Sequence, residues 1–104
     1  MTVSVILTTA PDTRCARRIA RALVQRRLAA CVSVRGGFIS VYRWKGKVES
    51  ARESLLLIKT SDKNFKAVEQ AIQEMHSYEI PEILGLSARK CSTRYRRWLT
   101  GSVR

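Results

Sequence analysis

His76-Ser77-Tyr78-Glu79-Ile80-Pro81-Glu82 gathers the chain's single histidine, a phenol, two carboxylates and a proline into seven consecutive residues. An imidazole there can ligate a metal or move a proton near neutral pH. Glu79 and Glu82 can accept protons or coordinate a cation, and Pro81 stiffens the backbone that presents them. The plain alternative is a polar loop around one satisfied histidine. Catalysis is not expected. The chain has no G-x-S-x-G nucleophile elbow, no phosphate-binding glycine loop and no H-E-x-x-H spacing. Spacing gives His76 no catalytic partner. An acylphosphatase-like site would want an arginine and an asparagine at an anion-binding loop, and Asn64, the lone asparagine, falls in a helical stripe instead.

The elements that must position this cluster can be read in order. Val3, Val5 and Leu7 alternate with Ser4, Ile6 and Thr8, the period of a strand over residues 2–9, and Pro11-Asp12 stops it. Asp12 or Thr13 can cap a helix carrying Cys15, Ile19, Ala22 and Leu23 on one stripe, down to about Arg27. Leu28 to Val34 is apolar and β-branched and predicts a second strand, ended by Gly36-Gly37. Phe38 to Trp44 resumes the alternation. Lys45-Gly46-Lys47 is a short turn, and Val48 to Thr60 returns as the second arm of a long hairpin. Ser61-Asp62 can cap a helix with Phe65, Val68, Ile72 and Met75 on one stripe. Glu82 to Ser87 predicts a strand, and Ser92 or Thr93 opens a last helix with Tyr95, Trp98 and Leu99.

This order predicts an α+β fold, the ferredoxin-like βαββαβ antiparallel sheet with a C-terminal helix, in one domain over residues 1–104. Two helices cover one face of such a sheet. Leu55 to Ile58 point alternately to both faces, so the strand they build expects burial on each side. Either the terminal helix or neighbouring copies must supply the second cover, and oligomerisation is the expected answer.

Composition narrows the partners. No apolar run approaches the roughly 20 residues that span a bilayer, and the amino terminus opens on a strand pattern without a secretory signal, so a cytoplasmic location and no membrane are expected. Cys15, Cys31 and Cys91 fit neither a disulfide framework nor a zinc pair. Cys15 and Cys31 read as small core hydrophobes, and Cys91, in a basic turn, as the most reactive. The net charge is +12. Residues 14–27 hold six arginines and no acid, residues 89–104 hold six basic residues and no acid, and the remainder balances eight against eight. A weak polyanion or nucleic-acid affinity through arginine-rich helices is therefore the alternative function. It is not that of an RNA-recognition module, because the Val3 to Thr8 and Leu55 to Thr60 strands lack the aromatics on which such modules stack bases.

Five segments carry a family resemblance: TAPD (Thr9 to Asp12), RLAACV (Arg27 to Val32), SVYRWKGKVE (Ser40 to Glu49), LLIKT (Leu56 to Thr60) and HSYEIPEIL (His76 to Leu84). In this order and spacing the chain resembles the CutA divalent-cation tolerance proteins, from about Val3 to Leu99. The resemblance implies a homotrimer in which long hairpins pair with neighbouring subunits, and kinship with PII-like signalling trimers. It also implies a link to copper and other divalent cations. It places Trp44, Lys59, His76, Tyr78 and Glu82 in a cleft between subunits that would take a divalent metal or a small anionic ligand. Thr8 and Met75 stand where copper-ligating members carry a cysteine and a further histidine. His76 is thus the remaining metal ligand, and a weak one.

Overall fold

The computed structural model describes residues 2–104. Its first strand, β1 (Val3–Ala10), turns Ser4, Ile6, Thr8 and Ala10 into a buried face and leaves Val5, Leu7 and Thr9 half-buried on the other. The Asp12 side chain accepts the Cys15 amide at 2.8 Å and starts α1 (Thr13–Gln25), which buries Ala16, Ile19 and Leu23 at helical spacing. The helix stops two residues before the expected Arg27. Arg27 turns to φ 59°, and the amides of Leu28 and Ala29 both donate to the Leu23 carbonyl, at 2.9 and 3.2 Å. The Leu28 carbonyl meanwhile accepts the Thr60 hydroxyl at 2.6 Å. Those backbone groups are already engaged and cannot join a ladder, so Leu28 and Ala29 are buried turn residues and the second strand begins at Cys31 rather than Leu28.

That strand, β2 (Cys31–Trp44), does not end at Gly36-Gly37. It runs on through a bulge, pairing Arg35 with Leu55 and then Phe38 with Glu53. Gly37 has φ 80°, and a Cβ on Gly36 would come within 2.9 Å of Thr13 Cγ2, so both glycines serve the bulge. Lys45 and Gly46, both at positive φ, form the two-residue turn into β3 (Lys47–Ser61). One turn of 3-10 helix (Asp62–Asn64) leads into α2 (Phe65–Met75), which buries Val68, Ala71 and Ile72. Strand β4 (Leu84–Ala88) starts two residues later than expected, and α3 (Thr93–Ser102) is capped by Ser92, whose hydroxyl accepts the Tyr95 amide.

The sheet is antiparallel in the order β2-β3-β1-β4, which with α1 and α2 between its strands is the ferredoxin-like βαββαβ topology. Its register sets Ile6 against Ile58 and Thr8 against Leu56, and these meet Ile19, Leu23, Val68 and Ile72 in the core. The other face carries Val5, Leu7, Leu55 and Leu57. Helix α3 packs on β3 with Leu99 fully buried, and the Arg27 guanidinium ties its last turn down through the Gly101 and Ser102 carbonyls. It does not cover everything. Leu84 and Leu86 of β4 stay 54% and 55% exposed.

Among the described residues three buried side-chain atoms are left without a partner: Thr8 Oγ1, Ser61 Oγ and Arg96 Nε. Thr8 Oγ1 lies under the helices, fully enclosed and unbonded. Replacing it with the similarly shaped valine removes that desolvated hydroxyl, so Thr8→Val is expected to raise stability by about 1 kcal/mol, measured as a higher urea midpoint at constant m-value.

Candidate functional site

His76 is the residue at which α2 stops, with its backbone already extended at φ −86°, ψ 142°. The chain that leaves it runs toward the hairpin formed by β2 and β3. The imidazole is held from both ends: Nε2 lies 2.6 Å from the Thr9 carbonyl, and Nδ1 accepts the Tyr78 amide at 3.1 Å. The tautomer with its proton on Nε2 satisfies both contacts. Neither ring nitrogen is then open to a metal unless the Tyr78 amide is released.

Tyr78 stacks at a tilt on that imidazole, ring centroids 4.6 Å apart, and its hydroxyl donates to Glu53 Oε2 at 2.8 Å. Glu53 is 8% exposed. Burial raises the Tyr78 phenol well above its ordinary range, and the hydrogen bond to Glu53 and that carboxylate's charge raise it further, so the phenol stays a donor. This clamp joins the end of α2 to the middle of β3 and forms the floor of a cavity of about 730 Å³. Trp44 and Tyr42 wall one side from the hairpin, and the Ser77 to Glu82 loop walls the other. Lys45 Nζ sits 5.8 Å from the Trp44 ring centroid, so the indole already faces a cation.

Three of the five expected cleft residues, Trp44, Tyr78 and Glu82, line this cavity, and His76 stands directly behind Tyr78. Lys59 does not join them. It lies six residues along β3 from Glu53, about 20 Å at strand rise, where its ammonium donates to Ser33 Oγ at 2.5 Å and lies 3.8 Å from Cys31 Sγ. Cys31 is therefore half-exposed beside a lysine, not a core hydrophobe. The cavity lining includes Glu53, Glu79 and Glu82 and no lysine or arginine, which suits a cation better than an anion. Glu53 is the site residue that the sequence alone did not single out. Its importance comes from Tyr78, 25 positions away. Cys91 is half-buried, with its thiol donating to the Ser92 carbonyl at 3.5 Å.

A resident metal centre does not fit one chain. Among the described residues no group of three or more histidine, cysteine, aspartate or glutamate side chains could hold an ion. Thr8 points under the helices rather than into the cavity, and Met75 packs against the core.

The model of the CutA1 divalent ion tolerance protein family matches residues 4–102. The chain belongs to that family. It is 42% identical over 95 residues to the divalent-cation tolerance protein CutA of Thermus thermophilus, covering 91% of this chain and 92% of that protein. It is 37% identical over 100 residues to the chloroplastic protein CutA of Arabidopsis thaliana, covering 96% of this chain and 55% of that longer protein. Among solved structures, the Cut A1 protein of Thermus thermophilus superposes with a TM-score of 0.95 at 40% identity, covering 97% of this chain and 98% of that one. The Oryza sativa CutA1 structure gives a TM-score of 0.97 at 34% identity, covering 100% and 95%. These CutA1 structures share the α+β fold of this chain. No helix among the described residues is long and apolar enough to cross a membrane.

Proposed function

We propose that the chain is a non-enzymatic, cytoplasmic homotrimer that serves divalent-cation tolerance, and that adjoining subunits complete the cleft at Trp44, Tyr78 and Glu82. One observation carries this reading: the hairpin beside the cavity holds an apolar stripe with nothing to cover it. Ile39, Val41 and Val48 are 68%, 68% and 67% exposed, and Leu84 and Leu86 on the opposite edge strand form a second uncovered apolar patch. Contiguous apolar surface of this kind marks a contact between proteins. Copies of the same chain closing over it would also bring further groups to a cavity that one chain leaves open.

A divalent cation such as copper is the ligand best matched to the carboxylates that line the cavity and to the names its relatives bear. Glu82 and Glu79 are exposed oxygen donors, and His76 adds a nitrogen once the Tyr78 amide lets go, so affinity from one subunit is weak. Calorimetric titration of copper into the assembled protein tests this. Glu82→Gln is expected to weaken binding by about tenfold, with a smaller loss for His76→Ala. Identical isotherms for the wild type and both variants would discard the metal part of the reading.

A further inference from the structure

Part of the positive charge is gathered along one helix, α1. Arg14, Arg17, Arg18 and Arg21 stand at i, i+3, i+4 and i+7 on α1, all exposed, on the face opposite Ala16, Ile19 and Leu23. We infer that this arginine face binds the phosphodiester backbone of a nucleic acid without reading its sequence.

Four features of the molecule support this. First, Arg14, Arg17 and Arg21 are not spent on neighbours. Among the described residues the one ion pair is Lys66 with Glu69, and no hydrogen bond engages the side chain of Arg14, Arg17 or Arg21. Arg18 donates to the Met75 carbonyl, which fixes α1 against the end of α2. The single acid at this end of the helix, Asp12, is occupied as its cap.

Second, the stripe advances about 10 Å from Arg14 to Arg21, and guanidinium groups offer planar forks that match phosphate oxygens two at a time. Third, Ala16, Ile19 and Leu23 on the apolar side of α1 are buried in the core, so the helix cannot lay that side into a bilayer as membrane-surface helices do. Fourth, α1 exposes no aromatic ring on which a base could stack. Contact is therefore confined to phosphates and is indifferent to sequence. The basic surface extends past Arg26 to the chain's last residue, because the Arg104 amide donates to the Arg27 carbonyl.

The test is fluorescence anisotropy of the full chain with labelled RNAs of about 20 nucleotides and unrelated sequence, across a salt series. About four phosphate contacts give a slope of log K against log salt near −3, at about −0.7 per contact. Replacing Arg14, Arg17 and Arg21 together with glutamine is expected to bring the slope to about −1 and weaken low-salt binding by about tenfold or more. The triple lysine variant keeps the charge and is expected to keep the slope, which separates loss of contact from damage to the fold. Arg89→Gln with Lys90→Gln, on the loop before α3, is expected to leave binding unchanged. Four results would each overturn the inference: no binding at low salt, equal losses in the loop variant, strong preference for one RNA sequence, or tighter binding to phosphatidylserine vesicles than to RNA.

Discussion

Tyr78→Phe is expected to destabilise the protein by about 2 kcal/mol, because it strips the donor from a buried carboxylate without giving that carboxylate water in exchange. Glu53 is 8% exposed, and Tyr78 is its hydrogen-bond partner at 2.8 Å. A lower urea midpoint for the variant would record the loss. Adding Glu53→Gln to Tyr78→Phe removes the stranded charge, and the double variant is expected to recover about half of it. The pH dependence follows from the direction of the phenol's shift. Tyr78 ionises at higher pH in the folded protein than in the unfolded chain, so its contribution is complete below the ordinary phenol value of about 10. That contribution fades as pH climbs toward the raised folded value. Stability of the wild type should therefore fall above pH 10 by a component that Tyr78→Phe lacks. Parallel alkaline profiles for the two proteins would contradict the clamp.

Aspartate at both Ile39 and Val41 is expected to abolish assembly while leaving the subunit folded. On an isolated chain these side chains are 68% exposed, and a surface change of this sort alters stability by about 0.5 kcal/mol or less. Buried between copies, two carboxylates without partners would cost several kilocalories per mole per interface. The variant should elute as a monomer with an unchanged far-ultraviolet spectrum. Retention of the wild-type mass would show that the hairpin stripe lies outside the contact.

Most of the fold could be read from periodicity. The alternation in β1, the Asp12 cap with the Ile19 and Leu23 stripe of α1, and the Lys45-Gly46 turn each leave a local pattern that tertiary packing then respects. The errors fall where two structures share one local signal. Paired glycines such as Gly36-Gly37 end a strand or bulge it, and the choice is made by the partner strand, whose Leu55 and Glu53 continue the ladder on either side. Leu28 and Ala29 look like strand residues, but the end of α1 captures their amides.

The site was legible where it is contiguous. His76 and Tyr78 touch because they are two residues apart, and Trp44 and Glu82 reach the same cavity from adjoining elements. Glu53 had no local sign of its role, since an acid in a polar stretch becomes a buried acceptor only when Tyr78 is folded over it. Lys59 does not reach the cavity of its own chain, because it lies just past the apolar run of β3, whereas the cavity lies at the hairpin end of that strand.

In the proposed assembly several copies close over the uncovered apolar surface and complete the cleft between them. Light scattering coupled to size-exclusion chromatography at micromolar concentration measures this directly. The expected mass is three times the 11.8 kDa of one chain. A stable species of 11.8 kDa, with Ile39, Val41, Leu84 and Leu86 left in water, would contradict it.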